Sequence, residues 1–224
     1  MAILLNIETA TKNCSVALQQ DNRLTDLIEY AGEGYSHAEK LHIFIADILK
    51  KNNLSPRQLS AVSVSKGPGS YTGLRIGVSA AKGLAYALKI PLISISTAAS
   101  LARNVQTKTD AYIIPLIDAR RMEVYSAIYN TDYQCIRGVK AELLEENPFD
   151  KYLAEKKVYF VGDATEKTQK IIRHTNAVFS PAKYPSAANM IDISYQKYQN
   201  KDFEDTAYFE PYYLKDFIIH KKKI

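Results

Sequence analysis

Long apolar runs are missing from this 224-residue chain: no stretch reaches the roughly 20 residues that span a bilayer. Cysteine is scarce. Cys14 and Cys135 stand far apart and outside any C-x-x-C pair, which argues against a disulfide framework or a structural zinc site and suits a reducing compartment. The start, Met1-Ala2-Ile3-Leu4-Leu5-Asn6, has no basic n-region and no cleavage site, so a cytoplasmic location without a secretory leader is expected. What is present is ordinary for a globular chain. With 46% hydrophobic and 24% charged residues, one or two domains with a substantial core are expected. The net charge of +5 is compatible with an acidic partner such as RNA. Much of that excess comes from Lys221-Lys222-Lys223, which reads as a solvated end.

Residues 3–8, 14–18 and 23–30 read as three strands. Thr9-Ala10-Thr11-Lys12-Asn13 and Asp21-Asn22 have turn composition between them. Ser36-His37-Ala38-Glu39 forms a capping box that opens a helix. In that helix Leu41, Phe44, Ile45, Ile48 and Leu49 make one apolar stripe, and Asn52-Asn53 and Pro56 end it. The strand 61–65, the turn Gly67-Pro68-Gly69, a helix over 72–89 and a strand at 92–95 follow, which implies parallel pairing through a crossover. The order then partly repeats. Strands are expected at 112–118, 123–129, 134–140 and 158–161, and helices at 148–155, 164–174 and 186–199.

An architecture of two such halves resembles the duplicated, ribonuclease H-like α/β fold of the actin/hexokinase/heat-shock ATPase superfamily. The lobes are expected at 1–98 and 99–199, with 200–224 packing back on the first. Within the superfamily, Ile3 to Leu18, Ser36-His37-Ala38-Glu39, Gly67-Pro68-Gly69-Ser70-Tyr71-Thr72-Gly73-Leu74-Arg75-Ile76-Gly77, Asp118-Ala119-Arg120-Arg121-Met122-Glu123-Val124-Tyr125 and Pro211-Tyr212-Tyr213-Leu214 together resemble the TsaB (YeaZ) family. The resemblance implies a bacterial, non-catalytic subunit for threonylcarbamoyl modification of the tRNA adenosine next to the anticodon. Its implied partners are the paralogous TsaD-type subunit, a TsaE-type ATPase in the assembled complex, a second copy of itself when alone, and tRNA indirectly. ATP would enter with the complex.

The residues themselves offer little chemistry. His37 and His42 are five apart and rotated by roughly 140° on a helix, so they do not share a metal. The first loop, Glu8-Thr9-Ala10-Thr11-Lys12-Asn13, and the matching Asp118-Ala119-Arg120-Arg121 have no glycine to let a phosphate approach the backbone. Glu8, Thr9, Asp118, Arg120 and Gly162 are therefore candidates for weak nucleotide binding at most. Arg120 and Arg121 suit either a phosphate or carboxylate ligand or pairing with acidic neighbours. Gly77-Val78-Ser79-Ala80-Ala81 mimics a nucleophile elbow but lies inside a helix, and Ser70 has no supporting histidine motif. A nucleotide-using enzyme and a peptidase acting on its partner are the alternatives to a binding subunit.

The second helix carries a ridge without side chains: Gly73, Gly77, Ala81 and Ala85 recur every four residues. Each interior glycine costs roughly 1 kcal/mol of helix stability, which a close backbone approach must offset. The approaching partner is either the chain's own sheet or a helix of another subunit. The expected interface combines this ridge with Leu41, Phe44, Ile45 and Ile48.

Overall fold

A computed structural model describes residues 1–32 and 37–215. It holds two five-stranded mixed sheets. The first contains β1 (Ile3–Glu8), β2 (Cys14–Gln20), β3 (Arg23–Tyr30), β4 (Ala61–Gly67) and β5 (Leu92–Ser96). The second contains β6 (Tyr112–Asp118), β7 (Glu123–Tyr129), β8 (Cys135–Leu143), β9 (Val158–Val161) and β10 (Ala177–Phe179). Their orders, β3-β2-β1-β4-β5 and β8-β7-β6-β9-β10, match place for place. In each, three antiparallel strands precede two parallel ones. The chain thus has the duplicated α/β fold that its repeated element order suggests.

Both faces of the first sheet are covered, so its strands read as apolar runs rather than alternating ones. On one face, Leu5, Ile7, Val16, Val62 and Val64 pack under α1 (His37–Lys51) and α2 (Tyr71–Leu88). On the other, Leu4, Ala17, Ile93 and Ile95 meet Met190 and Ile191, which belong to a 3₁₀ turn (Ala187–Met190) and to α6 (Ile191–Gln199). The second sheet is covered on one face by α4 (Asp150–Glu155) and α5 (Thr165–Ile171). Its other face packs against α3 (Thr97–Ala102).

Each sheet is therefore covered on one face by a helix that lies next to the other sheet's strands in sequence. Helix α3 leaves the first sheet and covers the second; α6 leaves the second and covers the first. Buried polar bonds fix α6 in place. Gln19 Nε2 donates to the Ile191 carbonyl at 3.3 Å, Ser194 Oγ donates to Gln19 Oε1 at 2.6 Å, and Asn6 Nδ2 donates to that same oxygen at 2.6 Å. Expected element bounds otherwise hold within a few residues. Helix α3 and strand β10 are additions that their short, unpatterned segments do not announce. The capping box at Ser36 lies outside the described residues, as do residues 216–224.

The C-terminal segment packs back on the first lobe as a strap. Glu204 N donates to Leu92 O at 2.8 Å along the edge strand, Lys82 Nζ donates to Phe209 O at 2.8 Å, and Tyr212 N donates to Lys66 O at 2.7 Å.

The ridge of α2 faces inward. Gly73, Gly77, Ala81 and Ala85 are all buried, as are Leu41, Ile45 and Ile48 of α1. A Cβ on Gly73 would overlap the Thr9 carbonyl oxygen, and one on Gly77 would overlap Thr9 Oγ1, each well inside the 3.0 Å that real Cβ atoms respect. The assignment of these residues to a subunit interface is corrected accordingly: they are the chain's own core, with Phe44 half-buried beside them. The close backbone approach that offsets the glycines is intramolecular. Gly77→Ala is therefore expected to lower unfolding stability by about 1–3 kcal/mol in urea titrations, the usual cost of overpacking a filled site.

Candidate functional site

The loop that would cradle a phosphate in the first lobe is closed by the chain itself. Thr9 Oγ1 donates to Gly73 O at 2.8 Å, and Ser70 N donates to Ala10 O at 2.7 Å. Glu8 is fully buried and turned onto its own loop. Its Oε1 accepts from Ala10 N at 2.7 Å and from Ser65 Oγ at 2.8 Å, while Oε2 has no partner. Burial outweighs those bonds and raises the Glu8 carboxyl to about 7. His37 is buried too, its Nε2 2.7 Å from Thr11 O, whereas His42 is exposed on the outer side of α1.

The second lobe has a more open counterpart. Asp118 ends β6, and its Oδ1 accepts from Arg120 N at 2.9 Å and Lys167 Nζ at 2.5 Å. Asp163 follows Gly162, whose φ of +132° and packing on the Leu116 carbonyl exclude a side chain. Asp163 Oδ1 accepts from Asp118 N at 2.8 Å, and burial raises its carboxyl to about 6. Among the described residues, no hydrogen bond or ion pair joins Glu8 or Thr9 to Asp118, Arg120 or Gly162. Glu8 and Thr9 are engaged within their own loop and with α2, and Asp118 with Arg120 and Lys167. Helix α2, docked by its glycines, packs directly on this loop through Thr9.

The concave surfaces lie beside α2 instead. A groove of about 620 Å³ runs between the outer faces of α1 and α2, lined by Ala38, His42, Ile76, Ala80, Gly83 and Leu84, with Arg75 and Ser79 at its side. A Cβ on Gly83 would meet nothing within 4 Å, so this glycine answers to no neighbour in the chain. A smaller cavity of about 240 Å³ lies between α2 and the strap, with Arg75, Lys82 and Tyr213 among its walls. The groove was missed in the sequence because the inner small residues draw attention away from Ala80 and Gly83 on the opposite side of the same helix.

The fold defines a member of the duplicated ATPase-like class. The family model described as TsaD, tRNA N6-adenosine threonylcarbamoyltransferase, matches residues 34–222. The Escherichia coli protein named tRNA threonylcarbamoyladenosine biosynthesis protein TsaB is 30% identical, over 98% of this chain and 97% of that one. The Haemophilus influenzae protein of the same name is 27% identical over 98% and 96%. The solved structure of YeaZ from Pseudomonas aeruginosa superposes with a TM-score of 0.83 at 24% identity, covering 96% of this chain and all of that one. The chain belongs to the TsaB (YeaZ) family.

The buried Glu8 makes a pH signature measurable. Its folded carboxyl binds a proton more tightly than the unfolded one, at about 7 against 4.5. The resulting contribution is complete below pH 4.5 and is lost as pH rises through 7. Glu8→Gln should remove this dependence and gain up to about 3 kcal/mol over the wild type at pH 8. Denaturant titrations of both chains at pH 5 and pH 8 check it; equal pH slopes would contradict it.

Proposed function

We propose that this chain acts in tRNA threonylcarbamoyladenosine biosynthesis as a non-catalytic subunit that binds and supports a TsaD-type chain. The observation that carries the proposal is the pairing of a closed first loop with an open, partly apolar groove on the outer α1–α2 face. A first loop without glycine, packed against α2 and bonded to its own chain, is poorly built for phosphoryl or acyl-phosphate chemistry. A groove floored by Ala80 and Gly83 lets another helix approach closely, ridge into groove.

The partner is argued from kinship. The match to the TsaD model supports this reading, in which a TsaD-type chain carries its own helix pair at the equivalent place. Two such pairs meeting across a pseudo-twofold axis form a four-helix contact. A second copy of this chain would use the same face when the partner is absent, and a TsaE-type ATPase would join only the assembled complex. A peptidase role has little support. Ser70 Oγ accepts from Gly73 N at 3.3 Å as a helix cap, which engages the hydroxyl structurally.

Gly83→Arg separates partnership from folding. Replacing an interior helical glycine should leave stability unchanged or raised by up to about 1 kcal/mol. The long charged side chain should weaken capture of the TsaD-type chain by at least about 30-fold, the scale of a lost hot spot. Co-purification and a binding titration check it. Undiminished affinity would remove the groove from the interface.

A further inference from the structure

We propose that the β6–β7 turn and the tyrosine face of the C-terminal strap form one surface that contacts the phosphodiester backbone and unpaired bases of RNA directly. This rests on the reading above, which supplies tRNA as the macromolecule being modified. It goes further in giving this chain its own RNA contact.

The first half of the surface is the turn. Arg120 and Arg121 sit at its tip with φ of +67° and +48°, a conformation that costs bulky side chains energy and is held only by surrounding bonds. Lys167 supplies those bonds: its Nζ donates to Arg121 O at 2.9 Å and Glu123 O at 2.6 Å while pairing with Asp118 at 2.5 Å. The acidic neighbours that would neutralise the arginines are already engaged, Asp118 by Lys167 and Glu123 by Lys215. Among the described residues neither guanidinium has a hydrogen bond or ion pair, and both residues are exposed. Two adjacent, unpaired planar forks on a braced turn suit phosphate oxygens.

The second half is aromatic. Tyr213 packs on Tyr71 with ring centroids 4.9 Å apart. Arg75 lies 4.1 Å above the Tyr71 ring, and its Nε donates to Tyr213 Oη at 3.3 Å. Tyr212 and Tyr213 keep 43% and 36% of their surface exposed although the strap is anchored, so the rings are offered in fixed positions. Exposed rings beside arginine are what single-stranded RNA stacks on. The halves are adjacent: Lys215, paired with Glu123 on the turn, is two residues from Tyr213, at most about 7 Å of chain.

The test uses the full chain, alone and with its TsaD-type partner, titrated with an unmodified tRNA over a salt series. The R120A/R121A double variant should bind about tenfold more weakly at moderate salt and lower the slope of log affinity against log salt by about 1.4 to 1.8, two phosphates' worth. Tyr213→Ala should cost about tenfold with no change in slope, and Tyr213→Phe should retain stacking. Partner capture should be unaltered in all three. Unchanged tRNA affinity and slope in R120A/R121A would overturn the proposal. So would loss of ATP binding or of partner capture in that variant without loss of tRNA binding, because the arginines would then serve a mononucleotide or a protein. If Gly83→Arg abolishes partner capture while R120A/R121A leaves RNA binding intact, this inference fails and the partner reading stands. If R120A/R121A weakens RNA binding as stated and Gly83→Arg leaves capture intact, the reverse holds.

Discussion

Much of the molecule follows from how closely α2 approaches the loop after β1. Thr9 lies against Gly73 and Gly77 with its carbonyl and hydroxyl where side chains would otherwise stand, and its hydroxyl bonds the Gly73 carbonyl. That contact fixes the height of α2 over the sheet, and α1 packs beside it on the same core. It also packs α2 directly onto the loop that follows β1. A buried carboxylate, Glu8, remains behind this contact, bonded to its own loop and deprived of water.

Closing the inside of α2 leaves its outside for the proposed partner surface. The helix is amphipathic in an unusual sense: both faces carry small residues. Those facing inward are crowded by Thr9, while Gly83 has open space above it. The strap then runs along the flank of α2 and reaches the second lobe through the Lys215–Glu123 pair. One helix thus organises the core, the proposed partner groove and the surface that carries the tyrosines.

Most strands, and the sequence of antiparallel strands followed by parallel ones, were legible because the strands are apolar runs bounded by turn residues and the two halves repeat the same element order. Duplication and family follow from those elements and from the glycine segment. The direction of the α2 ridge was not legible. Period-four small residues state that something approaches closely, but the approaching group, Thr9, is 64 positions away from Gly73 along the chain. The placement of α6 on the first sheet was not legible for a related reason: a short helix has no pattern that names the sheet it covers, and the decisive bonds, such as Ser194 to Gln19, are long-range. The pairing of Arg120 and Arg121 was open in sequence because acidic neighbours were at hand; only the lysines that engage those neighbours decide it.

The chain is proposed to work through the outside of α2 and not through the loop on which α2 packs. Hydrogen exchange followed by mass spectrometry tests this directly, on the chain alone, with ATP, and with a TsaD-type chain. Protection should appear on the partner's addition across the outer turns of α1 and α2, with residues 8–13 unchanged by ATP. Protection of residues 8–13 by ATP, with α1 and α2 indifferent to the partner, would contradict it.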